Sequence, residues 1–137
     1  MSWRGMEGGV EAVKGGHDVV MTPTEYCYLD YYQSEDIEKE PPAIGAYLPL
    51  EKTYAFEPVP QGFSSKEIAH ILGLQANLWT EFIPTRQQAE YMLFPRTCAL
   101  AEVAWSPTQG RDFIEFKHRL GYFLTILTNM GVNYRQL

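Results

Sequence analysis

Little in this chain invites a polyanion. Over 137 residues, 11 basic side chains stand against 17 acidic ones for a net charge of −6, and no basic run is interleaved with aromatics as a nucleic-acid groove requires. No apolar run approaches the ~20 residues that span a bilayer, and no charged start followed by an apolar stretch reads as a leader. Cys27 and Cys98 are the only cysteines; lacking metal-ligand spacing, they are either a pair or two buried thiols. No His, Cys or acid cluster has that spacing either, so neither a metal nor a cofactor is expected. "GMEGG" lacks the Lys and Ser/Thr that make a glycine loop cradle phosphate. A serine or cysteine nucleophile with a base beside it cannot be assembled.

What the chain does have is aromatics. They make up 14% of it, nine Tyr and three Trp among them, and many sit in Pro- and Gly-punctuated segments, where presented rings tend to bind something. Around them the pattern is α/β. "MSWRGMEGG" reads as a strand end and its turn, so the chain is expected to begin mid-fold. "GVEAVK" (residues 9–14) suits a short helix closed by Gly15 and Gly16, and "DVVMT" (residues 18–22) a buried parallel strand stopped by Pro23. Residues 23–64 read as one long irregular loop, a length that argues for function.

Beyond the loop, Ser64 or Ser65 with Glu67 predicts a helical turn leading into the strand "ILGLQANLW". Thr85 is the expected N-cap of a helix over residues 86–105, kinked at Pro95, with Met92, Pro95 or Arg96, Ala99, Leu100 and Val103 on one side. Phe113, Phe116, Leu120, Phe123, Leu124 and Leu127 then mark an amphipathic helix ending near Gly131. Strand and helix in alternation imply a parallel sheet with helices outside it. Two strands are too few to build one, so a fragment of a larger fold is expected.

The candidate site residues follow the strands, where α/β folds place their ligand-binding groups. In "YCYLDYY" an extended backbone puts Tyr26, Tyr28, Asp30 and Tyr32 on one side, and in "NLWTE" it does the same for Trp79 and Glu81. Each segment offers an aromatic face and a carboxylate two residues on. That pairing suits a sugar, whose C–H face stacks on a ring and whose hydroxyls donate to an ionised carboxylate. The alternatives stay open at this point: Trp79 a core residue with Glu81 at the start of the next helix, Tyr28 packed under the loop with Asp30 in a turn. His17 adjoins the start of a strand, the stability face of a barrel, and His70 and His118 read as surface or satisfied core residues.

"SWRG…GG", "GHDVVMTPTEYCYLDYYQ", "LGLQANLWTEFIPT", "FPRTCALAEVAWSP" and "GVNYR" together resemble the C-terminal third of the catalytic barrel of glycoside hydrolase family 20, the β-N-acetylhexosaminidases. The blocks run in order over nearly the whole chain. The resemblance implies a C-terminal fragment of a (β/α)8 TIM barrel, from the end of strand six through the helices after strand eight. Residues 1–137 would then be a partial catalytic domain and residues 23–64 a long active-site loop region. It also implies removal of terminal N-acetylglucosamine or N-acetylgalactosamine from glycans by a substrate-assisted, retaining route.

Matched position by position, Trp3 and Trp79 resemble the walls of the acetamido and sugar-ring pocket. Tyr28 resembles the tyrosine that orients the acetamido nucleophile and stabilises the oxazolinium, and Asp30 and Glu81 the carboxylates that bind the 4- and 6-hydroxyls. The family's Asp-Glu pair, in a motif like HxGGDE, has no counterpart here, since "SEDIEKE" is a charged loop run and "TEF" is already matched to hydroxyl binding. The strand-one arginine that grips the sugar is missing too. The chain alone is therefore expected to be inactive and to need the upstream barrel half as partner. The alternative is a stand-alone carbohydrate-binding or interaction module without catalysis, and a third reading is a remnant that self-associates through strand edges. By family resemblance the compartment would be periplasmic, secreted or lysosomal.

Overall fold

A computed structural model of the chain describes all 137 residues. The sheet is short: β1 (Val19–Met21) and β2 (Ile71–Leu74) run parallel, with Val19 beside Ile71 and Met21 beside Leu74. On the far side of β1, Ser2 adds one more parallel rung beside Met21; its N–H donates to Val20 O and its carbonyl accepts from Thr22. The order across the sheet is therefore the Ser2 segment, β1, β2, with the crossovers covered on one face by helices.

The first crossover is α1 (Glu7–Lys14), which buries Gly9 and Val13 against the sheet. Gly9 is there because of close approach: a Cβ on it would lie 2.6 Å from Met21 Sδ and 3.2 Å from Ser2 Cβ. The Gly15 N–H returns to Glu11 O and ends the helix, and Gly16 takes a positive φ of 78° to turn the chain toward β1.

The long stretch after Pro23 differs from expectation, because it is not structureless. It holds α2 (Thr24–Cys27), a 3-10 turn at Ile37–Lys39 and α3 (Leu50–Tyr54). Helical geometry in α2 breaks the expected period-two alternation at its first member. Tyr26 turns away and stacks on Phe56 at 5.0 Å between ring centroids; Tyr28 is extended, but Leu29 and Asp30 then form a turn, so the alternation fails at Asp30 as well. Single parallel bridges join Tyr28 to Asn77 and Tyr32 to Tyr47.

α4 (Ser65–Ile68) carries the expected capping box: Ser64 Oγ accepts from the Glu67 N–H, and the Glu67 carboxylate accepts from the Ser64 N–H at 2.8 Å. The strand that follows is regular only through Leu74. Beyond it the "QANLW" segment stays extended with isolated pairings, because its neighbour has already turned into α2.

Residues 86–105 form two helices rather than one kinked helix, α5 (Arg86–Leu93) and α6 (Arg96–Trp105). Proline cannot donate and pushes its predecessor out of helical geometry, and Phe94 is accordingly extended at φ −101°, ψ 137°. The expected apolar side survives the break: Met92, Arg96, Ala99, Leu100 and Val103 are all buried. α7 (Phe113–Asn129) is capped by Asp112, whose carboxylate accepts from the Glu115 N–H at 2.9 Å. Its end is a Schellman turn. Gly131, at φ 70°, donates to Thr128 O while Val132 donates to Leu127 O.

Two apolar clusters result. Val13, Val19, Met21, Cys27, Leu29, Leu48, Phe56, Leu100 and Val103 lie between the sheet, α6 and the 23–64 stretch. Tyr54, Ala99, Phe116, Leu120, Leu124 and Leu127 seal α3 and α6 to α7. Phe123, expected in this stripe, is exposed at its margin. Both cysteines are free, and burial pushes their thiols up, Cys27 to about 12 and Cys98 to about 11. Cys27 is a buried hydrophobe and Cys98 a half-buried one, and neither thiol is activated.

The seat of α1 on the sheet makes neighbouring glycines behave oppositely. Gly8→Ala, with its nearest new neighbour Ser2 Oγ at 3.7 Å, should stabilise the chain by up to about 1 kcal/mol through helix propensity. Gly9→Ala should instead cost about 1–3 kcal/mol, because buried Met21 has to move. Urea denaturation of the two variants measures both signs.

Candidate functional site

Two segments leave the ends of β1 and β2 side by side, held by a small polar net. The Leu29 N–H donates to Asn77 O at 2.7 Å and the Asn77 N–H donates to Cys27 O at 2.8 Å. The Asn77 side chain is buried and satisfied: its amide nitrogen donates to Thr22 Oγ1, and its oxygen accepts from Gln75 Nε2 at 2.7 Å. Thr22 Oγ1 in turn donates to Gln75 O at 3.0 Å. Because this net pins Asn77, the alternation along "NLWTE" sends Leu78 toward the main core and Trp79 outward.

The consequence is an aromatic pair. Tyr28 and Trp79 lie 6.3 Å apart between ring centroids with their planes tilted by 47°, and Tyr31 lies 6.0 Å from Tyr28 on its other side. Trp79 is 51% exposed, which removes the core reading of that residue. Glu81 is exposed as well and does not cap α5; Thr85 Oγ1 does, accepting from the Gln88 N–H at 3.2 Å.

Asp30 does sit in a turn, one closed by the Tyr31 N–H donating to Tyr28 O at 3.4 Å, but it is a buried turn residue. It is only 4% exposed, and its Oδ1 has no hydrogen-bond partner. Burial raises its pKa above the ordinary carboxylate value; the backbone amides of Asp30 and Trp79 pull it back, Glu81 adds to the rise and Arg96 opposes it. An unpartnered buried carboxylate oxygen has acceptor capacity to spare.

Trp3 stands somewhat apart. It is 45% exposed, carries the Arg4 guanidinium 4.6 Å over its ring, and reaches the site through its carbonyl, which accepts from Thr24 N–H at 3.1 Å. Tyr28, Asp30 and Trp79 are thus brought together, Glu81 lies close enough to Asp30 to act on its charge, and Trp3 flanks them one strand away.

Two residues that matter here were not singled out from the sequence. Asn77 is one. The other is Arg96, wholly buried, whose guanidinium donates to four carbonyls: Nη1 to Tyr31 O at 3.0 Å and Leu48 O at 2.9 Å, Nη2 to Leu29 O at 2.6 Å and Met92 O at 2.8 Å. The available signal was an arginine on the apolar side of a helix, a place where a charge is tolerated only when fully hydrogen-bonded. The histidines take no part. His70 Nδ1 lies 2.8 Å from Asp18 Oδ1 at the opposite end of the strands, His118 packs edge-on to Tyr122, and His17 is exposed near the end of α1.

Residues 1–108 match the family model described as glycosyl hydrolase family 20, catalytic domain. A β-hexosaminidase of Porphyromonas gingivalis is 44% identical over 135 residues, 98% of this chain and 17% of that protein. A β-hexosaminidase of Akkermansia muciniphila is 35% identical over 107 residues, 78% of this chain and 21% of its own length. Among solved structures, the exo-β-N-acetylglucosaminidase of Vibrio harveyi in complex with N-acetylglucosamine superposes with a TM-score of 0.84 at 35% identity, covering 98% of this chain and 21% of that one. The chain therefore belongs to glycosyl hydrolase family 20, and its fold is the C-terminal part of that family's (β/α)8 barrel. It spans about a fifth of the length of these relatives.

Asp30 supplies a test of the site's electrostatics. A carboxylate whose pKa is higher folded than unfolded costs stability when ionised, and that cost fades as pH falls through the folded value toward the unfolded one, about 3.9. Asp30→Asn should therefore melt higher than the parent at pH 7, with the gap closing as the pH approaches 4. A parent that is the more stable at pH 7 in thermal unfolding would refute the account of Asp30 as a strained, buried charge.

Proposed function

We propose that this chain forms the sugar-holding portion of a β-N-acetylhexosaminidase that removes terminal N-acetylglucosamine or N-acetylgalactosamine from glycans, with residues 23–64 as its active-site loop region. The observations that carry the reading are the Tyr28–Trp79 ring pair and the buried Asp30 carboxylate, unpartnered at one oxygen and close to the Trp79 backbone amide. Trp79 and Trp3 offer apolar faces to the sugar ring and its acetamido methyl group. The Tyr28 hydroxyl donates to the acetamido carbonyl oxygen, and Asp30 and Glu81 accept from the outer ring hydroxyls.

In this reading the acetamido oxygen attacks the anomeric carbon and the glycosidic C–O bond breaks. A glutamate on the upstream part of the barrel protonates the leaving oxygen, and water later opens the oxazolinium ion at the anomeric carbon. Tyr28 works on that first step, by aiming the nucleophilic oxygen and by meeting the charge as it moves through the amide. No residue of this chain takes the general-acid role.

A chimera tests the proposal directly: this chain replaces the matching 135-residue stretch of the Porphyromonas gingivalis relative, and turnover of p-nitrophenyl N-acetyl-β-glucosaminide is measured. The chimera should hydrolyse it and the 137-residue chain alone should not. Tyr28→Phe in the chimera should lower kcat by about 10²–10³. Glu81→Gln, which loses a charged acceptor present in ground and transition states alike, should act mainly on KM. A correctly folded but inactive chimera, or unchanged kcat in Tyr28→Phe, would remove the proposal.

A further inference from the structure

Three buried side-chain polar atoms of this chain lack a hydrogen-bond partner: Asp30 Oδ1, Glu40 Oε2 and Arg96 Nε. All belong to one charge cluster. Glu40 pairs with Arg135, Oε1 to Nε at 3.1 Å, with its side chain almost wholly covered, and the Tyr91 phenol lies against it. Arg96 makes no ion pair at all. All four of its hydrogen bonds end on backbone carbonyls, and the negative charges that act on it across the interior are Glu40 and Asp30. Burial lowers its pKa to about 9, so it stays a cation at neutral pH.

Two of the four carbonyls, those of Leu29 and Tyr31, flank Asp30 in the chain. A third belongs to Leu48, next to the Tyr32–Tyr47 bridge, and the fourth to Met92, one turn back from Arg96 itself. One planar fork on α6 thereby fixes the backbone on both sides of the site carboxylate. It also supplies the one positive side-chain charge that acts on that carboxylate, after the backbone amides of Asp30 and Trp79. Hydrogen bonds to dipoles leave the net charge of a guanidinium intact, so its field remains available to a neighbour, and low dielectric carries it.

We propose that Arg96 is a positioning residue for the sugar site: its guanidinium holds the Leu29 and Tyr31 carbonyls so that Asp30 stays beside Trp79, and its charge is the counter-charge that keeps Asp30 available as an acceptor. The inference rests on the reading of Asp30 as a sugar-hydroxyl acceptor, and deepens it by assigning what prepares that acceptor. The charged groups acting on Asp30 are Glu81 and Arg96, those acting on Arg96 are Glu40, Asp30, Arg135 and Tyr91, and the Tyr31 phenol feels Asp30 in turn. Arg96 and Arg135 offset Asp30 and Glu40, leaving Glu81 as the excess charge.

The experiment follows the Asp30 carboxyl carbon by NMR in the full chain with 13C-labelled aspartate, its signal identified by loss in Asp30→Asn, as pH is varied. Arg96→Gln should raise the Asp30 midpoint, while Arg96→Lys, which keeps the charge, should hold it near the parent. An unmoved midpoint in folded Arg96→Gln, or the same shift in Arg96→Lys, overturns the proposal. If Arg96→Gln does not fold, Arg96→Lys decides: a midpoint near the parent's supports the counter-charge, and a raised one overturns it. No sugar enters this titration, so its failure is distinct from failure of the chimera to turn over.

Discussion

A single buried cation organises the part of this chain that is neither helix nor strand. Connections that run through a core carry carbonyls with no ladder to join, and each buried acceptor left alone costs about 1–3 kcal/mol. Arg96 meets that requirement four times over from one side chain, satisfying Leu29, Tyr31, Leu48 and Met92. Its planar fork can reach carbonyls from separate segments at once, which a lysine ammonium on a flexible stem does less well. The two runs of the 23–64 stretch that pass it are thereby held against α6 and against each other, and Tyr28 and Asp30 take their positions from that.

Asn77 does for the strand ends what Arg96 does for the loop. Past Leu74 the parallel ladder has no regular partner, because the neighbouring chain has turned into α2. Regular pairing gives way to single rungs, and a buried amide can stand in for the missing ones: the backbone of Asn77 pairs with Cys27 and Leu29, and its side chain with Thr22 and Gln75. Irregularity at the strand ends is what frees side chains to converge there. The same irregularity, once pinned, lets two residues far apart in sequence, Tyr28 and Trp79, meet at 6.3 Å.

The regular elements were legible because each is governed by a local rule. Ser64 with Glu67, Thr85 ahead of α5 and Gly131 after α7 all act within three or four residues of themselves, and all three do what that spacing implies. The apolar stripes of α6 and α7 are likewise periodic in the sequence and buried in the fold, apart from the half-buried Phe113 and the exposed Phe123. Misreadings fall where a rule meets a competitor. Tyr26 left the expected alternation because Pro23 and Thr24 open a helical turn, and the kink expected at Pro95 became a full break once Phe94 was extended.

The candidate site divides along the same line. Aromatic and carboxylate residues at alternate positions in two segments are a property of the sequence, and so are the family blocks in which they sit. Alternation decides which residues share a face of one segment, but no spacing rule says how far two segments lie apart. That depends on Asn77 and Arg96, whose partners are 48 to 67 residues distant for the Tyr31, Leu48 and Leu29 carbonyls and 55 for Thr22. Only the folded chain could also decide that Asp30 is buried with an oxygen unpartnered, since desolvation is set by everything packed around a group rather than by its neighbours in sequence.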